Sequence, residues 1–319
     1  MSFIDNARSI AGVFFLGLLG ACATPPQTQA LLEQQPAGLP PRAELADVVF
    51  YPQQEHQCGP AALAMALHSS GVDVQPEQLS DLLYIPEKQG SLQVEMLAAA
   101  RRQGRVAYLL KPQLQDVLAE VAAGNPVVVL QNLGLSWYPV WHYAVVVGYD
   151  LAQRELILRS GNERRQVLPF ATFEHTWGRG NHWAMLVLAP GRLPHSAVAD
   201  DYMLALLALE RASPQTDTDA GYVAALHRWP DHLAVQVAVG NRAYVRHDLI
   251  EAERIFIKAT QDHPDAAAAF NNLAQVQGEL GKLEAALASV RRAVELGGPL
   301  QVVARDTLAE IERKLQRTR

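Results

Sequence analysis

Apolar positions in the first half of the chain fall into two unlike rhythms. "CGPAALAMALHSSG" from Cys58, "SLQVEMLAAARRQG" from Ser91 and "PQLQDVLAEVAAG" from Pro112 carry them at helical spacing. Gly71 and Gly104 supply stops, and Ser91 a candidate N-cap. "RVAYLL", "PVVVLQN", "HYAVVVGYD", "ELILRS" and "HWAMLVLAP" are instead Val/Leu/Tyr-rich runs of strand length. Tyr149 to Glu155 fits a hairpin loop between two of them, and "FATFEHTW" reads as a short helix over a sheet edge. Helices gathered first and a mostly antiparallel sheet gathered later predict an α+β domain over residues 44–192.

Past "PGRLPHS" the strand rhythm stops and a longer period begins. Gly240, Tyr244, Ala252, Phe256, Ala259 and Pro264 are followed by Phe270, Leu273, Gly281, Ala286, Val290 and Ala293 in matching places one 34-residue period on. Pro230 lies one period before Pro264, so a degenerate copy is expected ahead of the two clear ones. The pattern resembles the tetratricopeptide repeat. Small alanines let paired helices approach and large residues fill the gap, with "LQVVARDTLAEIERKLQR" as a capping helix. Residues 193–319 are therefore expected to form an all-α repeat domain, and the resemblance implies a protein partner.

The N-terminus has a third pattern. Arg8 precedes an apolar core from Ile10 to Leu19, too short to span a bilayer comfortably and followed by small residues. "LGAC" resembles a bacterial lipobox, which implies a signal peptide over 1–21 and lipid on Cys22. Ala23 at the next position resembles the pattern sorted to the outer membrane, so the expected location is the cell envelope, on the periplasmic face of that membrane. The Pro/Gln-rich run from Thr24 to Pro41, within residues 22–43, reads as a flexible tether.

Composition changes this picture in two places. A formal net charge of -6 without any Lys/Arg-rich run argues against nucleic acid as the partner. With only two cysteines, a lipidated Cys22 leaves Cys58 unpaired, which in an oxidising compartment calls for burial or use. No cofactor or metal is expected.

Cys58 opens a helix, where free N–H groups favour a thiolate, and an adjacent imidazole would favour it further. The thiol is therefore expected to titrate below a free one. His56, His68, His142, His175 and His182 are the candidate partners. His56 is too close along the chain and His68 lies roughly 15 Å up the same helix. His142 and His182 each stand near the start of an apolar strand, and spacing alone does not choose between them.

"QCGPAAL" followed by the distant "HYAVVVGY" resembles papain-like cysteine peptidases, with the bacteriocin-processing (double-glycine) family the nearest match, over residues 44–190. The resemblance implies a papain-like fold, peptide hydrolysis, Cys58 as nucleophile and His142 as general base. It also implies a glutamine that donates to the oxyanion, here Gln53 ahead of Gln54 and Gln57. Two departures stand out. The family's glutamine position is Pro52, and its histidine-orienting Asp is replaced by Ser160, with Asn162 two residues on as the papain-like alternative. A neutral orienter stabilises an imidazolium less than a carboxylate does. The competing expectation is a binding or scaffold protein that keeps the fold without turnover.

Overall fold

In the computed structural model the described residues are 24–34, 36–53, 57–88 and 90–318. The signal peptide and Cys22 lie outside them. The chain divides into two compact units, one of Met1–Met96 and Leu109–Leu186, the other of Leu97–Tyr108 and Val187–Arg319.

The first unit contains α1 (Pro26–Glu33), β1 (Arg42–Glu44), α2 (Cys58–Ser69) and α3 (Pro76–Leu83), followed by the first turn of α4 (Gln93–Arg102). Beyond β2 (Val106–Leu109) come α5 (Leu114–Ala122), β3 (Val127–Asn132), β4 (Trp141–Asp150), β5 (Glu155–Ser160), β6 (Glu163–Pro169), α6 (Phe170–Gly178) and β7 (Ala184–Leu188). The sheet order is β2-β7-β3-β4-β5-β6, with β1 also on β4. Pairing of β1, β3 and β5 with β4, of β3 with β7 and of β5 with β6 is antiparallel. This is the α+β arrangement that the two rhythms predict.

Helix α2 is buried from Gly59 through Leu67, apolar on every side rather than amphipathic, as a helix inside a core must be. Strand β3 is likewise buried along its whole length, and β4 from Tyr143 to Tyr149. Such continuous apolar runs mark strands covered on both faces. Burial of each large aliphatic side chain here stabilises by about 1.5–3 kcal/mol.

The run from Thr24 to Pro41 contains a docked helix where the composition suggested a tether. At the start of α1 the backbone N–H groups of Gln27 and Thr28 donate to the Glu174 carboxylate at 2.9 and 2.6 Å, and Thr28 Oγ1 adds a third bond at 2.7 Å. A helix start leaves such N–H groups without partners of their own, and a carboxylate from elsewhere suits both their geometry and the helix dipole. Gln27 further bridges Pro112 O and Leu114 N. These partners lie 85 or more residues away in sequence.

The second unit is helical after β7: α7 (Ala199–Ala212), α8 (Asp219–Arg228), α9 (Leu233–Val245), α10 (Leu249–Asp262), α11 (Ala267–Glu279), α12 (Leu283–Leu296) and α13 (Gln301–Thr318). Helices α9 and α11 begin and end 34 residues apart, and so do α10 and α12. Helix α7 begins one such period before α9, while α8 is shorter than its counterparts, as the degenerate copy requires. Ala243, Ala252, Phe256, Leu273 and Val276 form one core cluster, and Ala274, Ala286, Val290 and Ile311 the next. Ile311 belongs to α13, which closes the stack. A Cβ on Gly240 would stand 2.7 Å from the Phe256 ring, so the missing side chain is what admits the aromatic.

Candidate active site

Cys58 is the first residue of α2, after Gln57 as N-cap, whose Oε1 accepts from Ser80 Oγ at 2.6 Å. It is the free cysteine of the described residues. Burial is the largest influence on its thiol and pushes the pKa up. Backbone N–H groups of Tyr143, Gly59 and Cys58 itself pull the other way without prevailing. The expected depression by the helix start is therefore corrected: the donors are present, but loss of water outweighs them.

The contact with Tyr143 carries the geometry, because Tyr143 follows His142 on β4. His142 Nε2 lies 2.9 Å from Ser160 Oγ, the last residue of β5. With the Nε2 proton directed at that hydroxyl, Nδ1 keeps the lone pair and is the nitrogen free to accept a proton. Burial lowers the His142 pKa. Burial thus acts on both groups in the same sense, favouring the uncharged thiol and the uncharged imidazole over thiolate and imidazolium.

Continuing the β4–β5 register from Val145↔Arg159 would bring Asn162 opposite His142. The chain turns first: Gly161 has φ +57, and Asn162 is exposed in the turn. Ser160, diagonal to His142 on the same face of the ladder, reaches the ring instead.

Gln53 is buried and is tied at both ends of its amide. Its Nε2 donates to Tyr143 O at 3.2 Å, its Oε1 accepts from Gly161 N at 2.9 Å, and its backbone N donates to Gly161 O at 3.0 Å. It thus links the residue after His142 to the residue after Ser160, and among the described residues one Nε2 proton is left over. Gln54 and His56 lie outside the described residues.

The other histidines are placed elsewhere. His182 follows α6 with φ +52 and packs its ring edge-on against Trp177 at 4.8 Å. His68 is at the far end of α2, 3.9 Å from Asp73, and His175 is exposed on α6. Tyr143 is the participant that the sequence reading did not single out. Its hydroxyl donates to Ser91 O at 3.3 Å, and burial, with Cys58 beside it, pushes its phenol well above the usual range. Its position next to His142 in the motif was the available signal.

Among the described residues no group of three or more His, Cys, Asp or Glu side chains is arranged to hold a metal.

Residues 45–185 match the model of the Peptidase_C39 like family. Two solved structures are similar to part of the chain. One, described as a C39-like peptidase from Bacillus anthracis, is 18% identical and aligns 46% of this chain with 97% of its own, at a TM-score of 0.40. The other, the peptidase domain of Streptococcus ComA, a bifunctional ABC transporter involved in quorum sensing, is 20% identical and aligns 44% with 98%, at 0.37. No curated protein matches the chain.

Proposed function

From a C39-like peptidase fold over residues 45–185, we propose a cysteine peptidase anchored to a bacterial membrane through lipid on Cys22. The observation that carries the reading is the His142–Ser160 contact on a strand whose next backbone N–H meets the Cys58 thiol. As substrate binds, His142 Nδ1 takes the thiol proton while sulfur attacks the peptide carbonyl carbon. The oxyanion is stabilised by the Cys58 N–H and the remaining Gln53 amide proton. Imidazolium then protonates the departing amine, leaving a thioester. Water adds to the thioester with His142 again as base, which releases the carboxylate product and restores the thiol. The substrate is a peptide or protein, and the helical repeats, read as tetratricopeptide repeats, hold a protein partner or the substrate itself. Lipidation would place the protein in the cell envelope, on the periplasmic face of the outer membrane.

The neutral Ser160 and the raised thiol favour a second reading, a peptidase-fold binding protein with weak or no turnover. The deciding experiment incubates wild-type and Cys58→Ala protein with a peptide library and follows cleavage by mass spectrometry. Cleavage that disappears in Cys58→Ala supports the peptidase. Peptide capture without cleavage by either protein would leave the binding reading in its place.

A further inference from the structure

The catalytic reading leaves unused the hairpin between β3 and β4. From Gln131 to Trp141 the sequence contains no Asp, Glu, Lys or Arg. Trp137 is 80% exposed, Tyr138 69% and Trp141 52%, and Leu133, Leu135 and Val140 are about half exposed. The display is built rather than loose. Leu133 N donates to Val140 O, and Leu135 and Tyr138 exchange backbone bonds at 3.1 Å. Asn132 Oδ1 accepts from both Gly134 N and Val140 N at 2.9 Å. A contiguous exposed apolar surface, held in one conformation, marks a contact site.

The base of the hairpin is fastened to α6. Gln131 Nε2 donates to Thr176 Oγ1 at 2.6 Å, and the Arg179 guanidinium donates twice to Asn132 O. The same helix grips the start of α1 through Glu174. From Glu174 to Arg179 the helix rises about 7.5 Å. Cys22 precedes Pro26 by four residues, which reach about 14 Å when extended. Lipid on Cys22 would therefore keep α6, and with it the root of the hairpin, close to the bilayer.

We propose that the hairpin is a membrane contact, with Trp137 and Tyr138 seated in the interfacial layer of a phospholipid bilayer. The proximity argument rests on the lipid-anchor reading. The chemistry of the tip is independent of it: indole and phenol rings have an apolar body and a polar handle, the combination enriched at membrane interfaces. An uncharged hairpin brings no ions into that layer, whereas the net charge of -6 gives the chain no attraction to anionic headgroups. Peptides are recognised in grooves or along sheet edges, with pockets that take their side chains. A tryptophan with four-fifths of its surface in water offers the opposite shape.

The test uses the full chain, produced with its lipid and reconstituted into phosphatidylcholine vesicles carrying brominated acyl chains. Tryptophan emission should be quenched, and Trp137→Phe should remove part of that quenching. Trp137→Ser combined with Tyr138→Ser should also reduce it, with the protein still on the vesicles through its anchor. These side chains are exposed, so the variants keep the fold, which circular dichroism checks. Equal quenching in wild type and variants, or none in wild type, overturns the proposal. So does a raised KM for peptide in the double variant with unchanged quenching, which would assign the hairpin to substrate. Cys22→Ala protein added to the same vesicles separates the two readings. Its failure to stay bound tests the anchor, while Trp137-dependent quenching at high lipid concentration tests the hairpin alone.

Discussion

In the helical unit, Gly240, Ala243, Ala252 and Phe256 meet within one helix pair, α9 and α10, and the next cluster repeats the arrangement with Ala274, Ala286 and Val290. In the α+β unit, Gln53 reaches Tyr143 across 90 residues and Gly161 across 108. One unit is made of near neighbours repeated, and the other of distant segments brought to a point. The difference teaches where damage should spread. A repeat loses its own interface and strains the next. The site depends on every segment that converges there, yet His142, which is only partly buried, should be replaceable without loosening the continuous apolar core around α2.

The sharpest way to break this comparison is His142→Ala. Loss of a general base lowers rates about 10²–10⁴-fold, so hydrolysis by the α+β unit should fall by that order while thermal unfolding shifts little. A comparable loss of helix content would show that the site residue carries the fold as well. Next is Phe256→Ala. Removing a buried Phe costs about 3–5 kcal/mol, enough to melt α9 and α10 early in urea. Alkylation of Cys58 should keep its wild-type rate under native conditions; a changed rate would mean that the helical unit supports the site.

A smaller effect is expected from Ser160→Ala, which removes one neutral hydrogen bond, about 1 kcal/mol or roughly fivefold in rate. It should appear in kcat rather than KM, because the ring loses orientation and the substrate loses no contact. Ser160→Asp, with a carboxylate in that place, should raise the His142 pKa and move the acid limb of the rate profile to higher pH. The smallest effect is on stability against pH. His142 titrates below its unfolded value, so its contribution is present above about 6.5 and is lost as pH falls through the lower folded pKa. Cys58 titrates above its unfolded value, so its contribution is present below the free-thiol range and is lost as pH rises through the folded pKa. Iodoacetamide labelling of the resting protein should accordingly have a midpoint above that of a free thiol. A midpoint below it would mean that the pair rests as thiolate and imidazolium.

Much of this was legible in the chain because the strong signals are local. The strands β3, β4, β5 and β7 and the helices α2, α4, α5 and α6 follow from periodicity and stops, and the 34-residue offset from spacing alone. The elements that the sequence reading did not place are β1, β6, α1 and α3. Strand β6, "ERRQVLP", is largely exposed and polar, and its place is set by pairing with β5. Helix α1 depends on Glu174, a cap from another part of the chain that a composition-based reading cannot supply. At the site, Cys58 and His142 were visible as motif residues. The choice of Ser160 over Asn162 depended on where the chain turns at Gly161, and the sign of the Cys58 shift on how much water the fold excludes.

The span closed by Gln53 also has a meaning in time. A ribosome that has released the chain only as far as β4 has already made Cys58 and His142, but neither Ser160 nor Gly161. Until those residues emerge and a loop of more than a hundred residues closes, which is a slow kind of contact to form, the nascent polypeptide lacks the contacts that Ser160 and Gly161 make with His142 and Gln53. The chemistry proposed for it would begin only when that part of the chain has been made and folded.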